Sequence, residues 1–203
     1  MDNEKGYTLI ETVISMCLVA IILEQITLLG VNVYTNYKKY VVIERIESQA
    51  NITTSYIEQF INRAVAVDIN TKEIDESSLS KENKTILGIP AGYDIYQLDN
   101  ISADFKGEKS ADLHLGPLDS TRYKNFLNKN RGKKELYYKV DGNATSNIIT
   151  SYINNIYVYN RGGGDTGMLV CEFGEAHSDE RCIRHIKLPS LHYKGELQWV
   201  VNY

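Results

Sequence analysis

Proline and glycine are what the first third of this chain lacks. Between Leu9 and Ala66 there is no proline, and Gly30 is the single glycine. Helix breakers are therefore missing over a stretch long enough for one helix, or two nearly collinear ones, of roughly 55 residues and about 80 Å. Positive charge is also scarce: 22 Lys and Arg against 26 Asp and Glu leave a formal net charge of −4 in 203 residues. With no basic field over the whole surface, nucleic acid is not an expected partner. Lys38-Lys39 and the group Arg131, Lys133 and Lys134 are short enough to read as solvated surface.

Catalytic signatures are missing too. There is no Ser/His/Asp set, no phosphate-cradling glycine loop and no HExxH. Gly162-Gly163-Gly164 follows a strand pattern but introduces no helix, so it reads as a flexible turn, and His114 and His192 stand alone. No catalytic residue and no cofactor is assigned, and the expected role is structural.

What is present begins with LIETVISMCLVAIILEQITLLGVNV, from Leu9 to Val33, about the length needed to cross a bilayer. Glu11, Glu24, Gln25 and Asn32 interrupt it. The flank MDNEKG is too short and too mixed in charge to serve as a secretory n-region. Beyond Val33 the pattern becomes amphipathic. Val42, Ile46, Ala50, Thr53, Ile57, Phe60 or Ile61, and Ala64 recur at three- and four-residue spacing, the stripe of a helix with one buried face. A rod of that length cannot be buried in a domain this small, so its first half must find neighbours in lipid or in other copies.

From Asp68 the helix signal ends, and Asn70 to Lys84 reads as a surface loop. Strands are expected at Thr85-Ile89, Tyr93-Leu98, Ile101-Phe105, Asp112-Leu115, Glu135-Val140, Ile148-Tyr159, Met168-Phe173, Cys182-Leu188 and Leu197-Val201. Arg122 to Lys134 is open to a short helix or a loop. The expected fold class is α+β, a long N-terminal helix packed on a C-terminal antiparallel sheet.

The head of the chain carries a motif. KGYTLIE, from Lys5 to Glu11, set directly against the apolar run, resembles the class III leader and helix start of type IV pilins and pseudopilins. The resemblance implies that a prepilin peptidase cuts between Gly6 and Tyr7 and that the new Tyr7 amine is N-methylated. It implies that Glu11 pairs with the N-terminal amine of a neighbouring subunit, an arrangement that would select axial register in a dry interior. Read from the residues alone, Glu11 is also open to a simpler role, a helix-start carboxylate that complements the macrodipole. The implied organisation is a leader at 1–6, a transmembrane or filament-core helix at 7–33, an amphipathic half at 34–66 and an exposed β domain at 67–203. Implied partners are other pilin subunits through the N-terminal helix, the prepilin peptidase, the membrane and the pilus assembly platform. The implied location is the cell membrane and an extracellular filament.

Major pilins commonly carry a proline two-thirds along the apolar segment, where this chain has Ile26-Thr27-Leu28-Leu29-Gly30. Beyond the helix the pattern looks like the J-type and W-type minor pilins, which help prime a filament tip. A second reading is a signal-anchored surface binding protein, or adhesin, that never polymerises. Glu24 has no role in the motif; a basic group on another subunit or the bilayer interface would each account for it.

Cys17 lies in the apolar run and reads as a small buried hydrophobe. Cys171 and Cys182 sit on two strand patterns joined by Gly174 to Arg181. A hairpin centred between Ala176 and His177 would set them opposite one another, within reach of a disulfide in an extracellular domain. Free thiols are the alternative. A third reading is zinc held by Cys171, His177, Cys182 and His185, against which His185 should face the other side of a regular strand.

Overall fold

Helix α1 runs unbroken from Leu9 to Arg63, 55 residues, in a computed structural model. The structure describes residues 8–74, 81–90, 92–106, 122–130, 134–140, 146–160, 166–189, 191–195 and 198–201. The chain divides into two compact units, with the boundary between Val42 and Ile43. In the first, every described residue up to Tyr40 is exposed, and burial begins only at Val41. Hydropathy places the change of character at Val33. The structural boundary lies later because Tyr34, Tyr37 and Tyr40 are also solvent-facing.

The second unit holds the rest of α1 and the sheet. Ile46, Ala50, Thr53, Ile57, Phe60 and Ile61 are the buried residues of α1, the stripe expected from the three- and four-residue spacing. Phe60 anchors this face, edge-on to Phe105 at 5.2 Å and to Tyr138 at 6.0 Å between ring centroids. The helix stops without a loop. Ala64 N–H bonds the Ile61 carbonyl, and Val65 N–H already reaches Asp104 O across the sheet at 2.7 Å.

The strands, all antiparallel, are β1 (Ala66–Glu73), β2 (Tyr96–Lys106), β3 (Arg122–Asn130), β4 (Glu135–Val140), β5 (Ser146–Thr150), β6 (Ile153–Asn160), β7 (Thr166–Gly174), β8 (Arg181–Pro189), β9 (Leu191–Gly195) and β10 (Gln198–Val201). A short helix, α2 (Lys81–Ile86), precedes β2. Strand β2 is the branch point. One edge pairs with β1, which continues to β10 and β9. The other edge is shared: Asn100 to Lys106 pair with β3, leading to β4 and β5, while Tyr96 and Gln97 pair with β6, leading to β7 and β8.

The β6–β7–β8 branch is covered on both faces, which explains why β7 reads as a nearly continuous apolar run. Asn51 and the Ile43–Glu47 turn of α1 adjoin Arg184 and Cys182 on one face. On the other, Leu87, Ile89, Tyr157, Tyr159 and Val170 form a second core, flanked by Ile74, Tyr93, Ile95, Met168 and Ile183.

Four local expectations are corrected. Residues from Asn70 to Glu73 are strand, not loop, because Val67, Ile69 and Thr71 alternate inward along β1. Thr85-Ile89 is a helix end, not a strand. Gly88 adopts φ 67° while its N–H bonds Thr85 O and Ile89 N–H bonds Lys84 O, a Schellman close. Arg122 to Asn130 is strand β3, neither helix nor loop. The single run Ile148-Tyr159 is two strands parted at Ser151-Tyr152. The strand expected at Asp112-Leu115 lies outside the described residues.

Candidate functional site

The first 25 residues of α1 after Thr8 present apolar side chains around the whole circumference. Among the described residues this is the one helix long and apolar enough to cross a membrane, and its most apolar window buries nothing. A near-neutral apolar surface of this extent on all sides of a helix is the mark of a segment made for lipid or for other helices. Tyr34, Tyr37 and Tyr40 close the run, with Lys38-Lys39 among them. Amphipathic rings and long cationic stems at one end of a span suit the boundary between hydrocarbon and water.

At its other end the helix is capped by its own sequence. Thr8 N–H donates to Glu11 Oε2 at 2.8 Å and Thr8 Oγ1 donates to the same oxygen at 3.0 Å. Glu11 N–H is returned to Thr8 Oγ1 at 3.4 Å. This is a capping box, Thr8 at N-cap and Glu11 at N3, which satisfies helix-start donors that lipid cannot. The signal Thr-x-x-Glu before an apolar run was present in TLIE, and the helix-start role of Glu11 is thus realised within one chain. Nothing among the described residues donates to its other oxygen, Oε1. The cleavage residues Gly6 and Tyr7 lie outside the described residues.

Polar side chains farther along are absorbed by the helix itself. Thr27 Oγ1 donates to Leu23 O and Thr35 Oγ1 to Val31 O, each at 2.8 Å. Glu24 is different. It is exposed, and no ion pair or hydrogen bond to its carboxylate occurs among the described residues.

The cysteine expectation is corrected by register. In the β7–β8 hairpin Cys171 lies opposite Arg184, and Cys182 lies opposite Phe173. The hairpin is therefore centred one residue later than expected, between His177 and Ser178, where His177 adopts φ 66° to make the turn. Cys171 and Cys182 share a face as diagonal neighbours, a spacing of roughly 7–8 Å that exceeds disulfide reach. Both thiols are free. Burial pushes the Cys171 thiol up to about 12 and raises that of Cys182.

The zinc set does not assemble either. His185 occupies the opposite face of β8, opposite Val170, its ring against Gly88, and His177 is exposed in the turn. Among the described residues no three His, Cys, Asp or Glu side chains converge on a point.

A buried polar network was missed from the sequence, although a glutamate inside VCEF was its signal. Glu172, 4% exposed, accepts from Arg181 Nη1 at 2.8 Å and from Asn155 Nδ2 at 2.9 Å, while Gln97 Nε2 donates to Asn155 Oδ1 at 3.3 Å. Burial, with Glu172 adding, pushes the Tyr157 hydroxyl up to about 12. The network ties β2, β6, β7 and β8 in register. A second polar seam holds α1 to this branch: Arg45 pairs with Glu175 at 2.8 Å and Arg184 Nε donates to Asn51 Oδ1, while Lys134, just before β4, donates from Nζ to Glu175 O. In the sheet unit the shifts of Cys171, Cys182, Tyr157, Lys129 and His185 are all led by desolvation, the effect of burial.

No family model, curated protein or solved structure matches the chain.

Proposed function

We propose that this protein is a subunit of a type IV filament, a pilin or pseudopilin, held in the membrane as a precursor by its N-terminal helix. One observation carries the reading: a single capped helix whose first half buries nothing while its second half is sealed onto a β domain. A membrane span alone would not require continuity into the domain. A subunit that leaves the bilayer to stack on others uses one helix that continues from the apolar segment into the domain. The motif KGYTLIE supports the same reading.

In this account the peptidase cuts after Gly6, and the Tyr7 amine of one subunit meets Glu11 of its neighbour. Oε1 of Glu11 supplies the acceptor, while Oε2 remains with Thr8. The β domain lies outside the cell, where its surface is available for adhesion. Mass spectrometry of the protein from its own cells tests the processing step. A mature chain starting at N-methylated Tyr7 is expected, and an uncut, monomeric membrane chain would favour the non-polymerising adhesin. Glu11→Val is expected to abolish incorporation into filaments while membrane insertion persists; unchanged assembly would refute the pairing.

A further inference from the structure

Glu24 is a carboxylate in an apolar helix with no partner among the described residues. Its neighbours one turn away are Ala20, Ile21, Thr27 and Leu28, and the only hydroxyl among them is committed to Leu23 O. From Leu9 to Tyr37 the chain contains no Lys, Arg or His. Packing such helices together therefore strands Glu24 unless it meets the first side-chain cations beyond the run, and a carboxylate left unpaired in a dry interface is heavily penalised.

Lys38 is placed to answer it. Its ammonium lies 4.6 Å from the Tyr34 ring centroid, so the side chain reaches back along the helix toward the apolar run. From Glu24 to Lys38 is two heptads, about 21 Å of rise, and two heptads return within about 40° of the same side of the helix. One face thus carries an anion and a cation at a fixed interval. No bend within one helix brings them together.

We propose that Glu24 of one copy pairs with Lys38 of a second, parallel copy set back along the axis by two heptads. The proposal rests on the filament reading above and requires adjacent copies of this chain. The contact is heterologous, so each copy presents an unused Glu24 or Lys38 to the next and the arrangement propagates. Two helices spanning the same bilayer lie at similar depth, and a 21 Å offset would lift one most of the way out of about 30 Å of hydrocarbon. The pair accordingly belongs to assembled copies and not to the membrane-resident pool.

The stagger sets Cys17 of one copy level with Val31 of the other, which supplies the test. Full-length Val31→Cys, expressed in its own cells, is oxidised in sheared filament and in membrane fractions. The expected result is a dimer joining Cys17 to the introduced thiol in filaments alone. Glu24→Lys or Lys38→Glu should each lower that dimer about tenfold or more, and the two together should restore it. Dimers indifferent to both reversals, Cys17-to-Cys17 dimers in the parent filament, cross-links only to another protein, or sensitivity to Lys39→Glu in place of Lys38→Glu would each overturn the pairing. Cleaved, sheared copies lacking the cross-link remove the pairing alone. Absence of both cleavage and sheared copies removes the filament reading with it.

Discussion

Residues 9–40 and residues 43–63 belong to one helix, with the same backbone and no break between them, yet the first set buries nothing and the second buries one clean stripe. Composition runs the other way, for the exposed half is the more apolar. Burial in this protein follows what a segment packs against and not how hydrophobic it is. The amphipathic half meets the sheet, and its one apolar face is enough. The all-round apolar half buries nothing among the described residues, so whatever surrounds it sets its free energy.

Phe60→Ala tests this contrast with the largest effect. Removing a fully buried ring between Phe105 and Tyr138 should lower unfolding free energy by about 3–5 kcal/mol, whereas Ile22→Ala should change it by less than about 0.5 kcal/mol. Denaturant titration of the detergent-held full chain, followed by near-UV circular dichroism, reads both. Equal losses would break the comparison. Arg181→Ala comes next, at about 1–3 kcal/mol, because it leaves the Glu172 carboxylate buried with Asn155 alone. The guanidinium is more than half exposed, which keeps the effect below that of a fully buried pair.

Glycine sharpens the contrast further, with opposite signs in the two regions. Gly88→Ala forces a side chain into φ 67° and to 3.2 Å from the His185 ring, a loss of about 1–2 kcal/mol. Gly30→Ala meets nothing within 4 Å in mid-helix and should favour the helix by about 0.5–1 kcal/mol, read by far-UV circular dichroism on heating. The smallest effect is a pH dependence. Desolvation against Gly88 holds His185 below its ordinary 6.5, more strongly than its Leu87 backbone bond raises it. The unfolded chain therefore takes up the proton first, and stability falls as pH drops below about 6.5. His185→Gln should flatten that slope in thermal melts across pH 5–7; an unchanged slope would assign it elsewhere.

Much of the helix was legible from its periodicity, since Ile46, Ala50, Thr53 and Ile57 are buried as spaced. The strands were harder. Strand β3 reads RYKNFLNKN, a polar run that its two neighbours turn into sheet, and Ala66–Glu73 hides its alternation among Asp, Asn and Lys. Thr85-Ile89 looked like a strand because β-branched residues favour one, until Gly88 closed a helix there. Of the candidate sites, the link between Thr8 and Glu11 is local and could be read directly. The cysteine pairing could not. Whether Cys171 faces Cys182 or Arg184 depends on whether the turn centres before or after His177, a choice made by the left-handed backbone at that residue.

By itself the sequence determined an α+β chain with an apolar helix at its head, because helix periodicity, breaker absence and end capping act within a few residues of one another. Only the tertiary structure decided the branching of the sheet at β2, the burial of Glu172 and the separation of the two thiols. Those depend on register, and register is settled by pairings between residues far apart in the chain, where a shift of a single residue exchanges every neighbour.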